Sequence, residues 1–270
     1  MKRPFAIQFF AAILLPAAFP FLLRGAEQGS SAGVLESGRF GVSVYSADVS
    51  AHNQVFSLSN PELINIPLQN GTTAQLAGNS DTDLQYSAES RLAVLALTWR
   101  PGTCLQYRFH IGSGQMKLDT GGSHSDRLRT TSPGTRWGVE AAWNPLVDTP
   151  VTPAVQVRAG YDQSDFRLSR LDAGAGASVP IDEEYRLEQW QGALSVSKRW
   201  RMFDPFAGVR VLRQAGFLAD RSTGSQVSGR HDGYSAFGGL QVEFSARESL
   251  VVEGAFGDFR GWNAGFSIGF

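Results

Sequence analysis

The sequence is poor in cysteine and in charge. It contains one cysteine, Cys104, among 270 residues, so no intramolecular disulfide can form. Charged residues make up 18% of the chain, against a usual share of about 25%. A net charge of −1 offers no electrostatic basis for binding to nucleic acid. The four histidines lack the spacing of metal ligands. We therefore predict no metal site, no cofactor and no nucleic-acid partner.

Long apolar runs are also scarce, and the one present lies at the amino terminus. Two basic residues precede an uncharged stretch from Phe5 to Leu23, which is the pattern of a secretory signal peptide. Pro16 and Pro20 interrupt this stretch and disfavour a retained transmembrane helix. We predict a cleaved signal peptide over 1–26 and a single mature domain over 27–270.

The mature sequence lacks a convincing helical pattern and alternates instead with period two. From Leu105 to Ile111, apolar residues alternate with Gln106, Arg108 and His110, as in a strand with one apolar and one polar face. Turn-forming clusters separate segments of this kind. We predict ten strands, at 38–48, 88–99, 103–117, 135–144, 153–168, 186–200, 205–219, 233–246, 249–258 and 261–270.

The connections between these segments alternate in length. Short turns, such as Pro101-Gly102, alternate with longer polar connections, which we place at 49–87, 118–134, 169–185 and 220–232. Short turns at one end and long loops at the other are typical of a transmembrane antiparallel up-and-down β-barrel. The predicted fold class is therefore all-β, with ten strands. Eight or twelve remain alternatives, because 49–87 contains apolar pieces that could add a hairpin.

The aromatic residues are predicted to lie at two levels along the barrel axis. Trp190 and Trp200 are ten residues apart, which is about 33 Å of strand and roughly 25 Å of height at a tilt of ~40°. Aromatic girdles at both membrane interfaces have this spacing. A soluble sandwich with aromatics in its core is the alternative. The predicted girdle consists of Trp99, Trp137, Trp143, Trp190, Trp200, Trp262 and Phe270.

The last nine residues carry a further signal. From Trp262 to Phe270 every even position is apolar and every odd position is small or polar. With this segment, the chain resembles the bacterial outer-membrane β-barrel proteins over nearly all of its mature length. The resemblance implies location in the outer membrane of a Gram-negative cell, contact with its lipid and lipopolysaccharide, and folding by the barrel-assembly machinery. The residues that resemble the terminal assembly signal are Trp262, Phe266, Ile268 and Phe270.

If the apolar faces meet lipid, the opposite faces line a lumen that carries both signs of charge. We expect Arg108, Glu140 and Arg158 to form one row of attracting charges and Arg210, Glu243 and Glu253 another. A barrel of about ten strands is narrow, so these side chains are predicted to plug it. The predicted lumenal charges are Arg108, His110, Glu140, Arg158, Asp162, Arg210, Glu243 and Glu253.

Three functions stay open at this point. The favoured one is a structural or surface-interaction role without enzymatic activity, and a narrow porin-like channel for small solutes is the alternative. The third is a protease of the omptin type, a barrel family that uses acidic pairs and an Asp/His pair at the extracellular rim. Asp81-Thr82-Asp83 and His231-Asp232 resemble those pairs, but the Asp pair lies one loop early and His precedes Asp.

The predicted outer rim is also rich in arginine. Guanidinium groups match phosphate well, so contacts with surface glycolipid are possible there. Acidic residues lie among them, which favours a solvated surface of mixed charge. The rim arginines are Arg127, Arg129, Arg136, Arg167, Arg170, Arg221 and Arg230.

Overall fold

The structure, a computed structural model, describes residues 39–58, 65–67, 73–75, 83–120, 127–130, 133–172, 178–221 and 226–270. In these residues ten long antiparallel strands form a closed barrel, which confirms the predicted fold class and strand number. The predicted signal peptide lies outside the described residues. The strands are β1 (Arg39–Leu58), β2 (Asp83–Arg100), β3 (Leu105–Thr120), β4 (Gly134–Leu146), β5 (Ala154–Asp172), β6 (Ser178–Ser197), β7 (Phe203–Asp220), β8 (Gln226–Glu243), β9 (Glu248–Gly257) and β10 (Phe259–Gly269).

The first and last strands close the sheet. β1 pairs with β10 from Gly41↔Gly269 to Ala51↔Phe259, and every other strand of the barrel pairs with its neighbour in sequence. The backbone N–H of Phe270 donates to the carbonyl of Phe40 at 2.8 Å, so both ends of the barrel chain lie on the same side. We call this side the turn end, since its connections are 101–104, 147–153, 198–202 and 244–247; the opposite side is the loop end.

Several strands run farther towards the loop end than the sequence predicts. β1 continues to Leu58 and β6 begins at Ser178, whereas connections were predicted at 49–87 and 169–185. In the β6 extension the polarity is inverted, because Ile181 and Tyr185 face inward and Asp182 and Glu184 face outward. The apolar-outward alternation that marks the rest of the strand is therefore missing there. A hairpin of Asn65–Pro67 and Thr73–Gln75 does form within 49–87, but it pairs with itself, so the barrel keeps ten strands.

The wall at the loop end is completed by unusual pairings. The strand Arg127–Thr130 pairs with both β3 and β5 beyond the start of β4. The β9–β10 hairpin is short, and β1 and β8 pair directly beyond it at Ser57↔Arg230. Gly257 adopts a φ of 130° at this hairpin, where a side chain would be strained and its Cβ would lie 2.7 Å from the Tyr234 carbonyl.

The outer surface is a belt of apolar side chains. β4 alternates strictly between buried and exposed positions, and its exposed face carries Trp137, Val139 and Trp143. Along β8 and the residue that follows it, the belt runs from Tyr234 to Phe244, both exposed. Ten residues at a tilt of ~40° correspond to roughly 25 Å of height, which matches the apolar band of an outer-membrane barrel. Contact of such a belt with water would be unfavourable, whereas contact with hydrocarbon would not.

The interior has two different halves. Near the turn end it is mainly polar, with Gln106, Gln156, Asp204 and Gln241 buried alongside Phe206 and Val251. From the middle of the barrel towards the loop end it carries a larger apolar group, which we call the apolar cluster. The cluster consists of Tyr45, Ala47, Leu92, Val94, Ala96, Met116, Leu118, Phe166, Leu168, Ile181 and Tyr185.

A charge introduced into the outer belt tests its environment. Val209 is 58% exposed in the middle of the belt. We expect Val209→Arg to lower the free energy of unfolding in lipid vesicles by about 2–4 kcal/mol, because hydrocarbon does not solvate a guanidinium. Urea titration followed by tryptophan fluorescence measures this change. Ala246→Arg, at an exposed position in a turn at the barrel end, is the control and should cost little; an equal cost at both positions would contradict a lipid-facing belt.

Candidate functional site

The lumenal charges near the turn end come from three adjacent strands. Side chains alternate between the two faces of a strand, and each of these charges occupies an inward-facing position. Arg108 lies directly opposite Glu140 in the β3–β4 register, and Nη1 of Arg158 on β5 lies 3.9 Å from Oε2 of Glu140. All three side chains are buried. The two guanidiniums therefore flank one carboxylate.

A second ion pair reaches this group from the other side of the barrel. Nη2 of Arg210 donates to Oε1 of Glu253 at 3.0 Å, and the two side chains are 5% and 0% exposed. The ring of Phe237 lies between the two groups, with the guanidinium of Arg158 5.3 Å and that of Arg210 4.9 Å from its centroid. Such contacts are attractive when desolvated. We call these five charged residues (Arg108, Glu140, Arg158, Arg210 and Glu253) the charge network.

His110 and Asp162 meet across an intervening strand. They lie opposite Gly138 of β4 from either side, in the registers His110↔Gly138 and Gly138↔Asp162. Nε2 of His110 contacts Oδ1 of Asp162, and Nη2 of Arg136 lies 3.0 Å from the same oxygen. A Cβ on Gly138 would collide with both the imidazole and the carboxylate. The contact therefore requires a glycine at position 138. The sequence pattern did not predict this requirement.

Two charged residues take other partners than the sequence predicts. Glu243 lies near the turn end and binds Nη2 of Arg199, so it does not join Arg210 and Glu253 in one row. Arg136 was predicted at the outer rim, but its side chain points into the lumen and is 9% exposed. Period-two alternation within β4 explains the second difference, because Arg136 shares the inner face with Glu140.

The residues that resemble a protease site do not converge. His231 and Asp232 are neighbours on β8, so their side chains leave the strand on opposite faces. His231 packs inward against Phe259, with the rings 6.1 Å apart. Asp232 faces outward and accepts two hydrogen bonds from Arg213, at 2.9 and 3.0 Å. Asp83 begins β2, and Asp81 lies outside the described residues.

The predicted girdle residues lie on the outward face at two levels. Trp99 stacks between Phe40 and Tyr107 near the turn end, at centroid distances of 6.2 and 5.9 Å. Tyr161 contacts Trp137 at 5.6 Å and Trp190 at 4.7 Å farther towards the loop end.

The remaining girdle residues and the terminal strand follow the same two levels. Trp143 and Phe270 are exposed near the turn end, and Trp262, half-buried, lies towards the loop end. Phe266 and Ile268 share the outward face of β10 with Trp262. β6 ends at Ser197, so Trp200 lies in the following turn, where it bridges to Phe203.

Most rim arginines for which side chains are described face carboxylates. Arg167 donates to Asp182 at 2.9 and 3.0 Å, and these hydrogen bonds raise the pKa of the guanidinium. Arg170 pairs with Asp172 at 2.8 Å. Arg221 lies 3.8 Å from Glu184, and Arg230 is exposed. The side chains of Arg127 and Arg129 are outside the described set. Mixed charge at this rim is thus largely paired within the protein.

A cavity lies between the apolar cluster and the charged residues beneath it. Its solvent-accessible volume is about 60 Å³. Its lining includes Leu92, Phe166 and Leu212 on one side and Arg136 and Asp162 on the other. The described residues contain no group of three or more His, Cys, Asp or Glu side chains that could hold a metal ion. They also contain no helix that is long and apolar enough to cross a membrane.

Replacing Gly138 tests how much the His110–Asp162 contact depends on the missing side chain. We expect Gly138→Ala to destabilise the barrel by about 1–3 kcal/mol, because the added methyl group forces the pair apart. Urea unfolding midpoints measure the effect. Gly238→Ala is a matched control, since the nearest atom to its Cβ would be at 3.5 Å. The cost should shrink in a His110→Ala background, where the carboxylate can shift; an unchanged cost would place the strain elsewhere.

Comparison with known proteins identifies the architecture. No model of a known protein family matches the sequence, and no curated protein matches it either. The outer membrane protease OmpT from Escherichia coli has a similar structure, with a TM-score of 0.50 and 12% identity over 89% of this chain and 100% of OmpT. The translocator domain of the autotransporter NalP from Neisseria meningitidis has a TM-score of 0.42 and 10% identity over 98% of this chain and 94% of NalP. At such identities, likeness to OmpT supports a shared fold and no shared activity. By architecture, the chain has the closed antiparallel β-barrel fold that OmpT also has.

Proposed function

We propose that the protein resides in the bacterial outer membrane as a barrel with a closed lumen, and that its role is structural or one of surface interaction. The observation that carries this proposal is the arrangement of buried charges of opposite sign across the lumen. The apolar belt supports the location, since its roughly 25 Å height suits the hydrocarbon of an outer membrane. In this orientation the turn end faces the periplasm and the loop end faces the cell exterior.

Paired charges favour a plug over a pore. A channel that selects ions presents rings of one sign, whereas here Arg158 flanks Glu140 and Arg210 is bonded to Glu253. Removing one partner of a buried ion pair typically costs about 3–5 kcal/mol, because the other charge is left unpaired. A passing solute would have to separate these pairs. The ring of Phe237 adds bulk between them.

The loop end is the proposed contact surface. β1, β5 and β6 extend well past the aromatic level marked by Tyr161 and Trp190, so their outer parts stand in water. The rim there carries exposed ion pairs such as Arg186–Asp165 at 2.8 Å and Arg213–Asp232 at 2.9 Å. Exposed, polar and rigidly paired strands suit recognition of an external partner.

The proposed partners inside the envelope follow from the belt and the last strand. Outer-membrane lipid and lipopolysaccharide would surround the belt, and Arg230, which is exposed at the loop end, would contact lipid phosphate. The barrel-assembly machinery would recognise the terminal strand through Trp262, Phe266, Ile268 and Phe270. All four lie on the outward face of β10 or at its end.

Planar-bilayer recording separates the closed barrel from a channel. We expect no stable openings from the wild-type protein, because the charge network fills the lumen. The fourfold variant Glu140→Ala, Arg158→Ala, Arg210→Ala and Glu253→Ala removes matched charges and should open a conducting path. Its folding is checked by heat-dependent mobility on gels.

The control for this experiment removes an ion pair outside the lumen. Lys198 and Asp148 lie 3.0 Å apart near the turn end and are 41% and 28% exposed. The variant Lys198→Ala with Asp148→Ala should stay as silent as the wild type. Steady openings from the wild type would refute the plug and favour the narrow channel for small solutes.

Protease activity is the second candidate, and the similarity to the OmpT fold is the observation that favours testing it. Activity of this kind needs groups that converge on one substrate bond. His231 and Asp232 point to opposite faces of β8, so they do not form a dyad. We therefore propose that the protein is not an enzyme of this type.

A peptide-cleavage assay tests this statement. Purified barrel in detergent with lipopolysaccharide should leave a mixed peptide library intact over hours, as judged by mass spectrometry. His231→Ala and Asp232→Asn should behave identically to the wild type. Cleavage by the wild type that His231→Ala abolishes would overturn the proposal, whereas cleavage unaffected by both changes would place the catalytic groups elsewhere.

A further inference from the structure

The loop-end half of the lumen has a composition that a barrel lumen does not require. The interior of an outer-membrane barrel is usually polar, since it meets water. Here most of the apolar cluster lines it, and Leu168 and Met116 are 0% and 3% exposed. Nearer the turn end most inner positions are polar, although Phe206 and Val251 are buried there, so the period-two pattern does not by itself dictate apolar ones. An apolar wall on the loop-end side of the lumen therefore needs another explanation.

The cavity beneath this wall is two-sided. Its apolar side includes Leu92, Met116, Phe166, Leu187, Leu212 and Phe259. Its polar side is built from groups that are themselves fixed. Gln214 donates to Gln189 at 2.8 Å, and Arg136 is held by Asp162 at 3.0 Å. Pockets for small molecules combine mainly apolar walls with a few fixed polar groups in this way.

The cavity is also blind. Below it the His110–Asp162 pair and the Arg210–Glu253 ion pair occupy the lumen. A molecule that enters from the loop end therefore has no open path onward through these groups. Its solvent-accessible volume of about 60 Å³ leaves a slender space, equivalent to about four or five water molecules.

Charge on the lining favours an anion. The charged residues around the cavity are Arg136, Arg210, Arg260 and Asp162. Three guanidiniums against one carboxylate leave an excess of positive charge, even with Glu253 behind Arg210. Arg260 is exposed beside the tip of the β9–β10 hairpin, below the point where β1 and β8 pair. An anionic group placed there would meet a guanidinium that matches carboxylate geometry.

We propose that this cavity is a binding site for a small amphiphile, a molecule with a short, slender hydrocarbon body and an anionic group such as a carboxylate. The hydrocarbon lies against Leu92, Leu212 and Phe259, and the anionic group lies near Arg260 at the loop end. The site binds and does not conduct. The inference uses the barrel interior alone, so it stands or falls separately from the surface role proposed above.

The test uses 5,5,5-trifluoropentanoate as the probe and the full-length barrel in lipid nanodiscs. Fluorine NMR titration gives the dissociation constant, with empty nanodiscs subtracted to remove partitioning into lipid. Ala88 lines the cavity, so Ala88→Phe should fill it and weaken binding by about tenfold or more. Ala93→Phe is the matched control on the same strand, because Ala93 faces outward, and it should change affinity less than twofold.

A second arm tests the charge. Arg260→Gln should weaken binding of the carboxylate about fivefold and leave binding of the neutral alcohol 5,5,5-trifluoropentan-1-ol unchanged. Arg247→Gln, in the turn-end connection 244–247, is the control and should affect neither probe. Equal titrations for the wild type, Ala88→Phe and empty nanodiscs would overturn the site. Alcohol binding as tight as carboxylate binding would overturn the assignment of an anion.

The planar-bilayer recordings distinguish a failure of the proposed cavity site from a failure of the proposed closed lumen. A silent wild-type barrel that does not bind the probe refutes the cavity site alone. A conducting barrel that binds the probe, and loses binding in Ala88→Phe, refutes the plug and the blind end of the cavity but leaves the binding site in place.

Discussion

Closure of the sheet is the constraint on which the rest of this structure depends. Backbone N–H and C=O groups cannot be left unpaired in hydrocarbon, so a membrane-spanning sheet must join its first strand to its last. β1 and β10 do this over the registers Gly41↔Gly269 to Ala51↔Phe259. Once the sheet is closed, period-two alternation divides each strand between an outside and an inside. The apolar belt and the lumenal charges are both consequences of that division.

In a narrow closed barrel the inward-facing side chains must pack against one another. Ten strands leave little room beyond the side chains themselves, so charges from strands that are not neighbours come within contact distance, as Arg210 and Glu253 do. Arg158 and Arg210 both approach the ring of Phe237, and each has a carboxylate partner. Glycine at 138 removes the obstacle between His110 and Asp162. The charged interior is thus built from pairs across strands and across the lumen, not from one row along the wall.

The two ends of the barrel differ in what they can offer to other molecules. At the turn end the connections are short and the lumen is filled with hydrogen-bonded polar groups such as Gln156 and Asn144, 3.0 Å apart. At the loop end the strands extend past the belt, the rim is charged and the lumen is apolar. Recognition chemistry is therefore concentrated at the loop end. The OmpT-like fold supplies the scaffold for this difference and does not fix what is recognised.

The sequence by itself determined the fold class and favoured ten strands, with eight or twelve left open, because alternation with period two is local information. It underestimated the lengths of β1 and β6. In the outer part of β6 the apolar residues Ile181 and Tyr185 face inward, so the apolar-outward pattern of a membrane strand is missing there. Only the tertiary structure decided which charges meet. Glu243 forms an ion pair with Arg199, and the side chain of Arg136 points into the lumen. The side chains of His231 and Asp232 point to opposite faces of β8. Strand register and tilt, which depend on closure of the whole sheet, set those distances, and no local pattern carries them.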